Sequence, residues 1–140
     1  MAMTDPVPPT QPEPAPRRGW SRKTRAILIG LLLAPFLLFA LYTALVLNWS
    51  YSDGLRSGIL QKFSRKGYLC KTWEGELAMT TVPGVAPTLW TFSVRDDRVA
   101  DQISAAIGKR VALHYEEHRG VPTSCFGTTN YYVDSVSVSD

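Results

Sequence analysis

The 22 residues from Ala26 to Leu47 (AILIGLLLAPFLLFALYTALVL) carry no charge. As a helix this run is roughly 33 Å long, enough to cross a hydrocarbon core of about 30 Å. Inside lipid every backbone polar group must be paired within the segment, so a lone span has to be helical. Pro35 breaks one rung of that helix, which membrane helices tolerate. Trp20 precedes the run, and Tyr42 and Trp49 lie toward its far end, where amphipathic rings meet a membrane interface. A cleaved secretory signal has a shorter apolar core, usually about 7–15 residues, and a small-x-small exit. The exit here, Ala40-Leu41-Tyr42-Thr43-Ala44, lacks a good pair of small residues. The run therefore reads as an uncleaved transmembrane helix over residues 26–48, with the lipid bilayer as its partner.

That helix divides the chain. Residues 1–25 hold six of the 10 prolines and no aliphatic run, so they read as a disordered, proline-rich tail. Arg17, Arg18, Arg22, Lys23 and Arg25 outweigh Asp5 and Glu13 there, which places the N-terminus in the cytoplasm. Residues 49–140 are then outside, in the periplasm of a Gram-negative cell, and the chain is a single-pass protein of the bacterial inner membrane. This outer part has ten Lys/Arg and ten Asp/Glu, so the basic pI of about 9.0 belongs to the tail. From that balance no nucleic-acid partner is expected. Its 92 residues also exclude a doubly wound nucleotide enzyme or a TIM barrel.

Within 49–140 the hydrophobic period changes along the chain. Ser57–Arg65 places Ile59 and Phe63 on one face. Lys71–Thr80 alternates: Trp73, Gly75, Leu77 and Met79 against Thr72, Glu74, Glu76 and Ala78. Leu89–Arg95 puts Trp90, Phe92 and Val94 together. Between Arg98 and Ile107 the period becomes four, with Val99, Ile103 and Ile107 aligned, Asp96 or Asp97 as cap and Gly108 as stop. Lys109–His118 alternates again, and Asn130–Ser139 changes parity at Asp134-Ser135, which predicts a β-bulge. The order β-β-β-α-β-β is that of the OB-fold, so a mainly β, OB-like five-stranded barrel is expected, its end plugged by the helix.

Cys70 falls between the first two strands and Cys125 between the last two, loops that meet at one end of such a barrel. In an oxidising compartment they are expected to form a disulfide. His114, Glu116 and His118 share a strand face; the two histidines stand about 13 Å apart there, too far for one metal ion. A solvated face is expected for them, and likewise for Glu74 and Glu76. No metal and no cofactor are called for. The densest unusual surface is the stretch around Cys70, where Lys62, Arg65, Lys66, Tyr68 and Lys71 form a candidate surface for a ligand or partner. No nucleophile has a positioned base, and no glycine-rich loop opens a helix, so no catalytic residue is assigned.

The segments FSRKGYLCKTWEGELAM, FSVRDDRVA and HYEEHRGVPTSCFG resemble those of a family of small, uncharacterised bacterial single-span membrane proteins. Some members carry a 6-phosphogluconate dehydrogenase label. This chain has no Gly-x-Gly-x-x-Gly and no βαβ unit to support that activity. The layout also parallels the periplasmic haem chaperone of cytochrome c maturation, whose attaching histidine sits in His-Asp-Glu-x-Tyr. His114-Tyr115-Glu116-Glu117-His118 departs from that pattern. The expected function is a non-catalytic, membrane-anchored periplasmic binding or assembly module. Its partner would be an envelope protein or an anionic or sugar-like ligand. A haem- or metal-handling chaperone is the alternative, and a small envelope enzyme a further one.

Overall fold

The computed structural model describes residues 19–79 and 82–139. The proline-rich tail expected over 1–25 lies outside them up to residue 18. The first element is a helix, α1 (Arg22–Asn48), with Pro35 inside it. It starts four residues before the uncharged run and takes in Arg22, Lys23 and Arg25. Ser21 opens it: its hydroxyl accepts from the Thr24 amide at 3.2 Å. The helix is long and apolar enough to cross a membrane. Most of its large side chains are exposed, including Leu31, Phe36 and Leu37.

Five strands and one short helix follow: β1 (Ser52–Lys66), β2 (Thr72–Met79), β3 (Thr88–Val94), α2 (Asp97–Ala105), β4 (Arg110–Glu117) and β5 (Tyr131–Val138). The strands pair in the order β1-β2-β3-β5-β4, and β4 returns to β1, so the sheet closes on itself as a barrel. β1 is longer than its periodicity predicts because it pairs with β4 through its first half and β2 through its second. A register shift between Leu60 and Lys62 rephases it, so Leu60 and Phe63, not Ile59 and Phe63, face inward. A second shift lies where His114 pairs with Ser135 and Tyr115 with Val133, leaving Asp134 as the extra residue at the expected bulge.

The core gathers Leu60, Leu77, Phe92, Val94, Val111 and Leu113 from the strands. Val99, Ala100, Ile103 and Ala106 close it from α2. Asp96 caps α2, its carboxylate accepting from the Arg98 amide at 2.8 Å. That bond holds the Asp96 carboxyl below its usual range. Ile107, expected in the plug, is 45% exposed: the helix ends at Ala105, and Gly108 turns the chain away at φ +78°. Gly75 is required by packing, since a Cβ there would lie 2.2 Å from the Phe92 ring. On the same interior side, the Arg56 guanidinium lies 4.9 Å from the Trp90 ring centre and 5.3 Å from that of Tyr115.

Ile103→Asp would bury an unpaired carboxylate in the plug and is expected to cost at least about 3 kcal/mol. Ile107→Asp, on the exposed turn, should cost under about 0.5 kcal/mol. Urea midpoints of the two variants measure the difference, and equal midpoints would contradict the packing of α2.

Candidate functional site

The β1–β2 connection and the β4–β5 connection are joined by a disulfide between Cys70 and Cys125, Cα atoms 4.9 Å apart and 55 positions apart in sequence. Closing that loop stabilises the domain by about 4 kcal/mol in the chain-entropy model. The bond fixes a surface at the end of β1 away from α1. There Tyr68 and Leu69 are fully exposed, next to the disulfide. An adjoining cleft of about 260 Å³ is lined by Arg65, Lys71, Arg95, Trp73, Asp97 and Phe126, among others. The Arg65 guanidinium stands 5.4 Å from the Trp73 ring centre. Trp73 itself stacks on Phe63 at 5.3 Å, and its Nε1–H donates to Asp97 at 2.9 Å. The ring is thus fixed on both sides before any ligand arrives.

Of the five residues read as a surface, the structure brings Arg65 and Lys71 into one cleft and puts Tyr68 beside it. Lys62 is elsewhere, 3.8 Å from Glu76 in an exposed ion pair. Lys66 opens on a separate cavity of about 300 Å³ with Glu74, Glu76 and Thr128. Arg95 and Phe126 belong to the cleft but are not evident from sequence. Arg95 follows Val94, which pairs with Trp73, so only the β2–β3 register reveals it. Among the described residues, none of Arg65, Lys71 and Arg95 has a carboxylate oxygen within 4.0 Å.

Beneath this surface, Glu74 is buried, not on the solvated face its alternation suggests. Its Oε1 accepts from the Thr72 hydroxyl at 2.8 Å and the Thr128 amide at 2.9 Å, and its Oε2 from the Ser93 hydroxyl at 2.8 Å. Ser93 also accepts from the Thr129 amide at 3.1 Å. The loop before β5 covers this side of the strand, and a carboxylate with three donors is well satisfied without water. Gly127 makes the approach possible: a Cβ there would lie 2.7 Å from Ser93. Thr72 and Ala78 share its face but are equally at home on a solvated one, so the sequence carries no local signal for this burial.

The two histidines are also divided. His114 Nδ1 is 2.7 Å from Asp134 and its Nε2 is 3.9 Å from Asp53. The hydrogen bond with Asp134 holds its pKa above the usual imidazole value. His118 is buried, contrary to the solvated face expected for it. Its Nδ1 lies 3.1 Å from the Val46 carbonyl and 3.2 Å from that of Trp49, and its Nε2 3.2 Å from Glu116. It serves the unpaired carbonyls at the end of α1. Among the described residues, no three His, Cys, Asp or Glu side chains are arranged to hold a metal ion.

His114 gives a pH test. Its folded pKa is raised, so the folded state binds more protons than the unfolded chain above pH about 6.5. The stability from the Asp134 pair is full below that pH and declines as pH rises through the folded value. Asp134→Asn should therefore destabilise the domain most below about pH 6.5, with the gap closing as pH rises through the raised folded value. Chemical denaturation at several pH values measures it; a gap that widens with pH would contradict the pairing.

A family model described as "Domain of unknown function (DUF8785)" matches residues 49–140. No curated protein matches the chain. Among solved structures, the mitochondrial single-stranded DNA-binding protein Rim1 from S. cerevisiae is similar, with a TM-score of 0.49 and 8% identity. The alignment covers 64% of this chain and 95% of that one. A likeness of that degree carries nothing about a ligand. The exclusion of nucleic acid made from composition does not stand on its own ground. That exclusion rested on a net charge of zero, whereas single strands are held by local cations and stacking rings.

Proposed function

We propose that this chain, which belongs to the DUF8785 family, is a membrane-anchored binding module without catalysis, its barrel of OB type and facing the periplasm of a bacterial cell. The observation that carries this reading is the cationic cleft beside the disulfide, where Arg65, Lys71 and Arg95 lack carboxylate partners among the described residues. Guanidinium forks and an ammonium around fixed rings suit an anionic ligand. The disulfide supports an oxidising compartment, and the apolar run of α1 with basic residues ahead of it supports an anchor with its N-terminus in the cytoplasm. An envelope-assembly role fits that placement: a small domain with a prepared cationic surface is suited to holding a partner.

The test is binding of a sulfated polysaccharide to the full chain in detergent. Arg65→Glu with Lys71→Glu should weaken it at least about tenfold at low salt, since each charge-assisted contact contributes roughly 1.5–3 kcal/mol. Lys62→Glu, outside the cleft, should change it less than about twofold. Equal losses from the two changes would reduce the cleft to general electrostatics and overturn the reading.

Orientation is tested by a reporter active only in the periplasm. It should work when fused after Asp140 and fail when fused before Trp20. The reverse pattern would overturn the anchor's direction.

A further inference from the structure

The loop that opens after His118 returns to the last turns of α1. The Tyr42 hydroxyl donates to the Gly120 carbonyl at 3.0 Å. Tyr42 lies six residues before the helix end at Asn48, which is roughly 9 Å along its axis. Arg119, next to Gly120, is therefore held close to the helix end, its guanidinium against Tyr51 just past it. If α1 spans a membrane, as proposed above, this is the depth of the lipid headgroups.

Arg119 is prepared for an anion there. Its Nε donates to Glu117 at 2.7 Å, and the face of its guanidinium lies 3.8 Å from the Tyr51 ring centre. The Glu117 carboxylate is buried beneath and accepts from the Ser52 hydroxyl at 3.1 Å. The Arg119 bond holds the Glu117 carboxyl below its usual range. One edge and one face of the guanidinium are thereby used. Its terminal nitrogens have no partner among the described residues, and the side chain is 59% exposed. A planar fork fixed in this way matches two oxygens of a phosphodiester.

The neighbouring wall has different chemistry. Arg119 shares a cavity of about 440 Å³ with Tyr42, Leu45, Val46, Trp49 and Tyr51. Leu45 is 58% exposed and Trp49 79% exposed. A free water-soluble anion would occupy Arg119 and leave that apolar wall open. A molecule with an acyl chain below its phosphate covers both.

We propose that the end of α1 and Arg119 form a site for one phospholipid, its phosphodiester on the Arg119 fork and its chain against Leu45, Val46 and Trp49. This rests on the reading of α1 as a membrane span. The site would hold the barrel close to the bilayer surface by a lipid bridge in addition to the peptide link.

The experiment uses the full chain reconstituted in nanodiscs of phosphatidylglycerol and phosphatidylcholine, then released into mild detergent for native mass spectrometry. The wild type should keep one phospholipid per chain. Arg119→Gln should lower that occupancy by about tenfold, as for loss of a charge-assisted contact. Leu45→Trp, which fills the cavity and leaves every polar contact in place, should lower it similarly, and Leu28→Trp should not. Excess inorganic phosphate should leave the lipid bound. A wild type without lipid, equal occupancy in all forms, or displacement by phosphate alone would overturn the site while leaving the span intact. Failure of every form to enter nanodiscs would overturn the span and the site with it.

Discussion

The barrel closes through its weakest seam. Four of the five strand neighbours are antiparallel and extensively paired, but β3 and β5 meet in parallel register over two positions only, Ser93 with Tyr132 and Val94 with Val133. So short a ladder cannot hold a closed sheet by backbone bonds alone. Glu74 supplies the rest. From β2 it gathers Ser93 of β3 and the Thr128 amide just before β5, so three segments share one carboxylate. Its burial is favourable because its donors are all in place; remove them and the same charge would destabilise the fold.

The surface above depends on that closure. The loop carrying Cys125 and Phe126 is held at one side by the disulfide and at the other by Thr128 and Thr129 on Glu74 and Ser93. Its position sets one wall of the cationic cleft. The β2–β3 register sets the other, by bringing Trp73 beside Val94 and so Arg95 beside Lys71. The cleft is thus a product of the fold and not of any contiguous motif. At the opposite end of β1, His118 and Tyr42 tie the barrel to the last turns of α1. The domain is joined to the helix end by side chains as well as by the chain itself.

The order of strands and helix was legible because each has a clean period: two in KTWEGELAM, four across Val99 and Ile103, and a parity break at Asp134. The disulfide was legible because topology placed both cysteines at one end. What escaped were features that depend on long-range register. Alternation assigned Glu74 to solvent because a charge opposite Trp73 and Leu77 is usually solvated, and nothing local shows that a loop fifty residues on will cover it. His118 was misplaced for the same reason, since its partners Val46 and Trp49 lie far back in the chain. Arg56 sits among rings on the inward side of β1, where charge alone would have placed it outside. Net charge was also a poor guide to the surface, because a sum of zero does not show that Arg65, Lys71 and Arg95 line one cleft.

Amide hydrogen exchange at Thr128 and Thr129 tests the account most directly. Both residues lie in a connecting loop, where amides ordinarily exchange quickly. If Glu74 and Ser93 lock that loop onto the barrel, the two amides should be protected to nearly the same degree as those of Val94 and Val133 at the seam. Exchange at the rate of an open loop, with the seam still protected, would show that the barrel closes without the Glu74 lock and would contradict the account.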